Sequence, residues 1–151
     1  MEDDDEDIGP LDAATLFDFG EDEVTARHFS RALGYFQQAW NALPEPKDEQ
    51  PLAVQVQAAI SDCEFSLGNW EACHAAMQHA LRCGLPLDNV FARLRLGQSL
   101  YELGNEQEAA NWLVPVYLRH GRGPFEGDDP KYLEFFRSKL RSPEGGWPEG
   151  W

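Results

Sequence analysis

Apolar residues recur three and four positions apart along most of the chain, and no long segment alternates between apolar and polar residues. This spacing is typical of amphipathic α-helices and argues against strands. Turn-forming residues interrupt the pattern at 44–46, 68–69, 84–86, 104–105 and 121–127. The segments between these breaks are about 12 to 18 residues long, an ordinary helix length. The pattern therefore predicts seven antiparallel helices with short connections, near residues 12–26, 29–43, 51–67, 70–83, 88–103, 106–120 and 129–141.

The two ends of the chain differ in composition from the helical region. Residues 1–10 contain an unbroken acidic run, which has no apolar surface to bury and predicts a disordered acidic tail. Residues 142–151 form a tail rich in glycine, proline and tryptophan, which predicts irregular structure. Trp147 and Trp151 either fold back onto the helical body or form an adhesive end, and we favour folding back. The predicted helical domain covers residues 11–141, a single domain by chain length.

One segment of the sequence occurs twice. Residues 65–73 (FSLGNWEAC) recur 36 positions later as residues 101–109 (YELGNEQEA). Each copy has an aromatic residue, a leucine, a Gly-Asn turn and then a small residue on the next helix. A third, looser copy runs from Leu16 to Pro44, and it precedes the second by 41 positions. A period of this length is typical of proteins that stack helix pairs side by side.

This repeated pattern resembles the tetratricopeptide repeat (TPR), whose skeleton is Leu-Gly, an aromatic residue, Ala-x3-Phe and a closing proline. The resemblance covers about residues 13–121 and implies an all-α fold. In that fold, a right-handed superhelical stack of about three TPR helix-turn-helix pairs would end in a C-terminal capping helix. The sequence departs from the pattern where a large residue usually opens each copy, because Gln57 and Arg93 stand there.

Small residues in the copies indicate where the paired helices cross. Only small side chains allow two helix backbones to approach closely, while aromatic rings fill the groove around the crossing. We expect the crossing to be formed by Gly20, Ser61 and Gly97 on the first helices and by Ala32, Cys73 and Ala109 on the second.

Candidate catalytic and metal-binding motifs are missing from the sequence. Three cysteines cannot all pair and are too far apart for a Cys-x2-Cys ligand set, so we expect reduced cysteines packed as small apolar residues. No histidine pair lies beside a carboxylate in a ligand arrangement, and His74 and His79 do not share a helical face. There is neither a phosphate-binding glycine loop nor a Gly-x-Ser-x-Gly elbow. We therefore expect a protein with no enzymatic activity, cofactor or metal site.

The net charge of −15 is concentrated in the first half of the chain. Residues 1–75 have 3 basic and 17 acidic residues, a net charge of −14. Such a surface repels nucleic acid and attracts a basic partner, although acidic surfaces also serve solubility alone. No apolar run approaches the roughly 20 residues of a membrane span, and the acidic start differs from a secretory signal. We therefore predict a soluble, cytoplasmic protein with a protein partner, and with no nucleic-acid or membrane partner.

The TPR resemblance implies that the first helix of each pair lines a concave partner-binding face. Aromatic anchors surrounded by carboxylates and amides would suit a partner that offers Arg or Lys on an apolar background. The alternative is that the phenylalanines simply pack between the repeats. The implied partner-binding residues are Phe17, Glu21, Val24, Gln55, Asp62, Phe65, Phe91, Leu94, Gln98, Tyr101 and Glu102.

Two further comparisons bear on the kind of partner. One TPR subclass grips the C-terminal carboxylate of chaperones with Lys and Asn side chains. The corresponding positions here hold Phe17, Glu21, Ala59, Leu94 and Arg95, so that clamp is absent, which argues against a co-chaperone. Residues 40–47, 94–98 and 129–133 resemble small bacterial repeat proteins that accompany polymorphic or secreted toxins. That resemblance implies an immunity protein, which would bind and occlude a cognate, basic toxin effector. The alternative is a TPR scaffold or secretion chaperone that binds an extended peptide segment of a client protein.

Overall fold

The computed structural model of the chain describes residues 10–149 and 151. The predicted acidic tail, residues 1–10, lies outside the described residues apart from Pro10. The described residues contain no strand, and their α-helices are α1 (Ala13–Thr25), α2 (Phe29–Ala42), α3 (Ala53–Ser66), α4 (Trp70–Arg82), α5 (Val90–Glu102), α6 (Glu106–His120) and α7 (Pro130–Arg137). The all-α prediction is confirmed. The largest difference is at the last helix, which ends at Arg137 and not near residue 141.

The described helices belong to two compact units, residues 10–85 with α1–α4 and residues 86–151 with α5–α7. Helices that follow one another pack as pairs: α1 with α2, α3 with α4, and α5 with α6. In the first unit α2 also packs against α3, so the unit consists of two stacked helix pairs. Among the described residues, no helix has both the length and the apolar composition that crossing a bilayer requires.

The same turn connects the two helices of each pair. Gly68 and Gly104 adopt positive φ angles of 78° and 88°, a conformation that costs glycine little because it has no Cβ. Arg27 occupies the equivalent position in the first pair and also has a positive φ, 63°. In all three turns, the following amide donates to the carbonyl five residues earlier, with N···O distances of 2.8–2.9 Å. The repeat in the sequence is therefore a repeat in backbone conformation.

The predicted crossing glycines lie where the paired helices approach most closely. A Cβ atom added to Gly20 would lie 2.4 Å from the Phe36 ring, and one added to Gly97 would lie 2.4 Å from Leu113 Cγ. Both distances are shorter than van der Waals contact allows. The large residue of the second helix therefore fills the space that a side chain on the first would need.

Ser61 takes the place of glycine in the second pair. Its side chain is fully buried, and its hydroxyl donates to the Cys73 carbonyl oxygen at 2.8 Å. The three facing residues, Ala32, Cys73 and Ala109, have no exposed surface. The serine hydroxyl fits the crossing because a backbone acceptor satisfies it, as a buried polar group requires.

Arg93 compensates for a proline in the neighbouring helix. Pro115 lies inside α6 and has no N–H, so the Asn111 carbonyl, four residues earlier, loses its helical donor. The Arg93 guanidinium donates to that Asn111 oxygen at 3.0 Å and to the Trp112 carbonyl oxygen at 3.1 Å. It also lies over the Trp112 ring, 4.8 Å from its centroid. The charged residue that departs from the repeat pattern thus satisfies backbone groups that an apolar residue could not.

The C-terminal tryptophans fold back onto the second unit, as the sequence favoured. Trp147 and Trp151 pack edge-on against the buried Tyr117, with ring centroids 5.5 and 5.7 Å away. The Arg137 guanidinium lies over the Trp147 ring at 5.4 Å. Both tryptophans join the aromatic core that Tyr117 forms with Phe136 and its neighbours.

We expect Gly20→Ala to lower the free energy of unfolding by about 1–3 kcal/mol, because the new methyl group overlaps the buried Phe36 ring. Gly34→Ala is the matched control, since Gly34 lies in α2 of the same helix pair with nothing within 4 Å of its added Cβ. That control should be neutral or stabilise by up to about 1 kcal/mol. Urea unfolding followed by circular dichroism measures both. Equal effects would contradict the close crossing.

We expect Arg93→Met to destabilise the protein by about 2 kcal/mol, because charged hydrogen bonds to backbone carbonyls are lost. In a Pro115→Ala background the loss should shrink by about 1 kcal/mol or more, because the alanine backbone N–H can donate to the Asn111 carbonyl oxygen. The four unfolding free energies form a double-mutant cycle. A coupling energy of zero would show that Arg93 does not compensate for the proline.

Candidate functional site

The first unit contains an open groove of about 490 Å³ between α1, α2 and α3. We call it the acidic groove, because three of the described residues that line it have carboxylate side chains and no described lining residue is basic. Phe36, Val24 and Ala59 form its apolar part. The lining residues are Glu21, Asp22, Val24, Thr25, Phe36, Ala59 and Asp62.

Three of the residues predicted to bind a partner meet in the acidic groove: Glu21, Val24 and Asp62. They come from two different helix pairs, and the packing of α2 against α3 places them together. Asp22 and Thr25 were missed, although both immediately follow predicted residues on α1. A wider window on the helix face would have included them.

The other predicted residues of the first unit lie outside the groove. Phe17 is half-buried and packs against the groove residue Phe36, with ring centroids 5.3 Å apart. Phe65 packs edge-on against Trp70 at 5.4 Å, across the turn between α3 and α4. Gln55 is exposed near the start of α3. The alternative that the phenylalanines have packing roles therefore describes Phe17 and Phe65 well.

In the second unit, α7 contacts two of the α5 residues predicted to bind a partner, Tyr101 and Glu102. The Tyr101 ring packs against Tyr132 and Phe135, at centroid distances of 5.7 and 4.5 Å. The Glu102 carboxylate accepts from the Tyr132 hydroxyl at 2.5 Å and forms an ion pair with Lys131 at 2.6 Å. Burial raises the pKa of Tyr132, and the hydrogen bond to Glu102 raises it further, so the hydroxyl stays a donor. The hydrogen bond to Glu102 also raises the pKa of Lys131.

Leu94 and Gln98 are buried, and this removes them from the partner surface. Leu94 belongs to the aromatic core of the second unit. Gln98 has no exposed surface, and its amide donates to Asp128 at 2.8 Å. Phe91 is half-buried beneath the Arg95 guanidinium, 5.0 Å from its ring centroid. Periodicity could not reveal these contacts, because it identifies the face of α5 but not the segment that covers it.

A second feature of the first unit brings three different side-chain types together. Ligand atoms of Asp48, His79 and Cys83 all lie within 4.8 Å of one another, the one such group of three among the described residues. His79 Nε2 lies 2.7 Å from Asp48 Oδ1. We call these residues the mixed-donor cluster. Its signal in the sequence is the spacing of His79 and Cys83, four residues apart at the C-terminal end of α4, which places the two side chains on one helix face.

The ionisation of the cluster does not favour a reactive thiol. Burial raises the pKa of Cys83, and the Asp48 carboxylate raises it further, while Arg82 acts in the opposite direction. The hydrogen bond from His79 lowers the pKa of Asp48. The imidazole therefore contacts a carboxylate, and the thiol remains protonated at neutral pH, unlike an activated nucleophile. Cys63 is also inert, because burial raises its pKa to about 12.

No protein-family model matches this chain, and no curated protein matches its sequence. The chemistry of the first unit is therefore the guide to its ligands. The acidic groove offers carboxylates beside an apolar surface, which suits a basic side chain. The mixed-donor cluster offers an oxygen, a nitrogen and a sulfur atom, a set of donors that suits a metal ion better than it suits a side chain of a protein partner.

We expect Glu102→Ala to destabilise the protein by about 1–3 kcal/mol, because it removes a half-buried acceptor from Tyr132 and Lys131. The matched control is Glu106→Ala, which breaks an ion pair between the exposed Glu106 and Lys139 at 2.9 Å. An exposed pair contributes at most about 1 kcal/mol. Urea unfolding distinguishes the two. If both variants lower the free energy of unfolding by the same small amount, Glu102 has no special structural role and stays a candidate partner-binding residue.

Proposed function

We propose that this chain is a non-catalytic, TPR-type protein-binding module, and that its acidic groove receives basic side chains of a protein partner. The observation that supports this most directly is the meeting of Glu21, Asp22 and Asp62 around an apolar surface. A carboxylate pair or triad can accept several hydrogen bonds from one guanidinium or from neighbouring Arg and Lys side chains. The nearby Phe36 and Val24 would contact the apolar stem of the same side chain.

The charge distribution supports a basic partner for the first unit. Residues 1–75 have a net charge of −14, so the field around the groove extends well beyond its lining residues. Such a field accelerates the encounter with a basic surface and orients it, while repelling acidic proteins and nucleic acid. The groove carboxylates would then select particular Arg or Lys side chains through short-range hydrogen bonds, which the field alone cannot do.

The more specific form of the proposal is an immunity protein. In this role the chain would bind a cognate, basic toxin effector and occlude its active site. The proposal rests on the resemblance to small bacterial repeat proteins that accompany toxins, together with the acidic groove. Basic surfaces are usual among toxins that attack nucleic acid, because such surfaces also bind phosphate.

Charge reversal of the groove tests the proposal. The candidate partner is the product of the gene next to the one that encodes this chain. Binding to that product is measured by calorimetry, and rescue of growth is measured when the two proteins are co-expressed. We expect Glu21→Lys, Asp22→Lys and Asp62→Lys combined to weaken binding by at least about tenfold and to abolish rescue. The control changes the net charge equally at exposed carboxylates outside the groove, with Glu49→Lys, Glu71→Lys and Glu134→Lys.

Several outcomes separate the possible explanations. If both triple variants weaken binding equally, net charge and not the groove determines affinity. If wild-type affinity does not fall as salt rises tenfold from about 0.05 M, which shortens the screening length about threefold, the electrostatic part is wrong. If an unfolded basic segment of the partner binds as tightly as the folded domain, the chain is a scaffold or secretion chaperone. Circular dichroism excludes variants that do not fold.

A further inference from the structure

We propose that Asp48, His79 and Cys83 bind a single zinc-class divalent metal ion. This site is separate from the acidic groove and goes beyond the proposed protein-binding function. Its three residues come from two segments of the first unit: Asp48 from the short 3-10 turn Lys47–Glu49, and His79 and Cys83 from α4 and its C-cap.

The donor atoms are close to the arrangement that a tetrahedral ion needs. Zinc lies about 2.3 Å from thiolate sulfur and about 2.0–2.1 Å from imidazole nitrogen and carboxylate oxygen, so neighbouring donors of this set would be about 3.3–3.6 Å apart. The three ligand atoms of the cluster already lie within 4.8 Å of one another. His79 Nε2 and Asp48 Oδ1, now 2.7 Å apart, would separate by less than about 1 Å when the ion replaces their hydrogen bond.

The helix fixes two of the ligands relative to each other. Residues four apart on a helix lie on the same face, so the α4 backbone places His79 and Cys83 side by side. The Trp40 ring packs edge-on against the His79 ring, with centroids 4.9 Å apart, and limits its rotation. Cys83 packs against the core cluster that contains Leu43 and Ala53.

The segment that holds Asp48 is tied to the end of α2. The Lys47 ammonium group donates to the carbonyl oxygens of Leu43, Asn41 and Trp40, at 2.6, 3.1 and 3.3 Å. These carbonyls lie at the C-terminal end of α2, where the helix dipole attracts a cation. Lys47 therefore holds the turn in place, and the next residue, Asp48, points to His79. The ligand set is largely preformed before any ion binds.

The donor types select the class of metal. A thiolate and an imidazole favour zinc and similar borderline ions, whereas magnesium and calcium require oxygen ligands throughout. On binding, the Cys83 thiol releases its proton to solvent and the sulfur becomes a ligand. His79 Nε2 gives up the proton of its hydrogen bond to Asp48, and the neutral imidazole then has its proton on Nδ1. Three protein ligands leave a fourth position for water or for a group from a partner. The Arg82 guanidinium lowers the pKa of both Asp48 and Cys83. Its positive charge also repels a metal cation and so weakens binding.

Cobalt(II) titration of the reduced, full-length protein tests the site, because cobalt reports thiolate ligation directly. We expect a sulfur-to-cobalt charge-transfer band in the near ultraviolet that saturates at one equivalent and disappears when zinc is added. Carboxylates elsewhere on this acidic chain bind divalent ions weakly but produce no such band. An excess of magnesium is included throughout to occupy them.

Each ligand is then removed singly by Cys83→Ala, His79→Gln and Asp48→Asn. Cys83→Ala should abolish the band, and the other two variants should each weaken zinc affinity by more than about tenfold. The matched controls, His120→Gln and Glu49→Gln, should leave the affinity unchanged. A missing band, a band that survives Cys83→Ala, or unchanged affinity in both other variants would overturn the proposal.

A second measurement does not depend on the variants. In two-dimensional NMR spectra of the wild-type protein, one equivalent of zinc should shift the amide resonances around Asp48, His79 and Cys83. Shifts confined to other residues would locate the ion elsewhere and contradict the assignment.

Discussion

The close crossing of paired helices is the constraint on which the rest of the structure depends. Gly20 and Gly97 have no room for a side chain, because Phe36 and Leu113 occupy it. Ser61 fits the same position by donating to a backbone oxygen. A helix pair this close forms one compact block, but it leaves an apolar flank that a neighbouring element must cover. In the first unit α3 covers α2, and this packing brings α1 and α3 close enough to form the acidic groove.

The helices and their crossings were predictable because both follow from local rules. Periodicity locates the helices, and the offset of 36 residues identifies equivalent positions such as Gly97 and Ser61. The contacts of α7 were not predictable in this way. Tyr132 and Lys131 bind Glu102 because the chain turns back after Gly121 and α7 packs near α5. The repeat in the sequence ends before this segment, so it does not predict which residues the segment contacts. The same limit explains why Asp48, 31 positions from His79, was not identified as its neighbour.

The first unit combines two kinds of electrostatic feature that differ in range. The effect of the groove carboxylates extends about a Debye length into solvent and weakens with salt. The interactions of Asp48 are short and directional, because they are made with one imidazole and one thiol. The proposed partner would therefore be attracted by the field of the first unit, whereas the proposed ion would be held by the geometry of three side chains.

The pairing of Arg93 with Pro115 has a consequence for how such sequences diverge. A proline in α6 leaves the Asn111 carbonyl without its helical donor, and the guanidinium supplies a substitute. Neither residue is advantageous alone, since an arginine at this position would otherwise displace an apolar contact and an uncompensated proline would weaken the helix. We expect the two to be gained and lost together in evolution. A relative with a non-proline residue at position 115 should therefore have a large apolar residue at position 93.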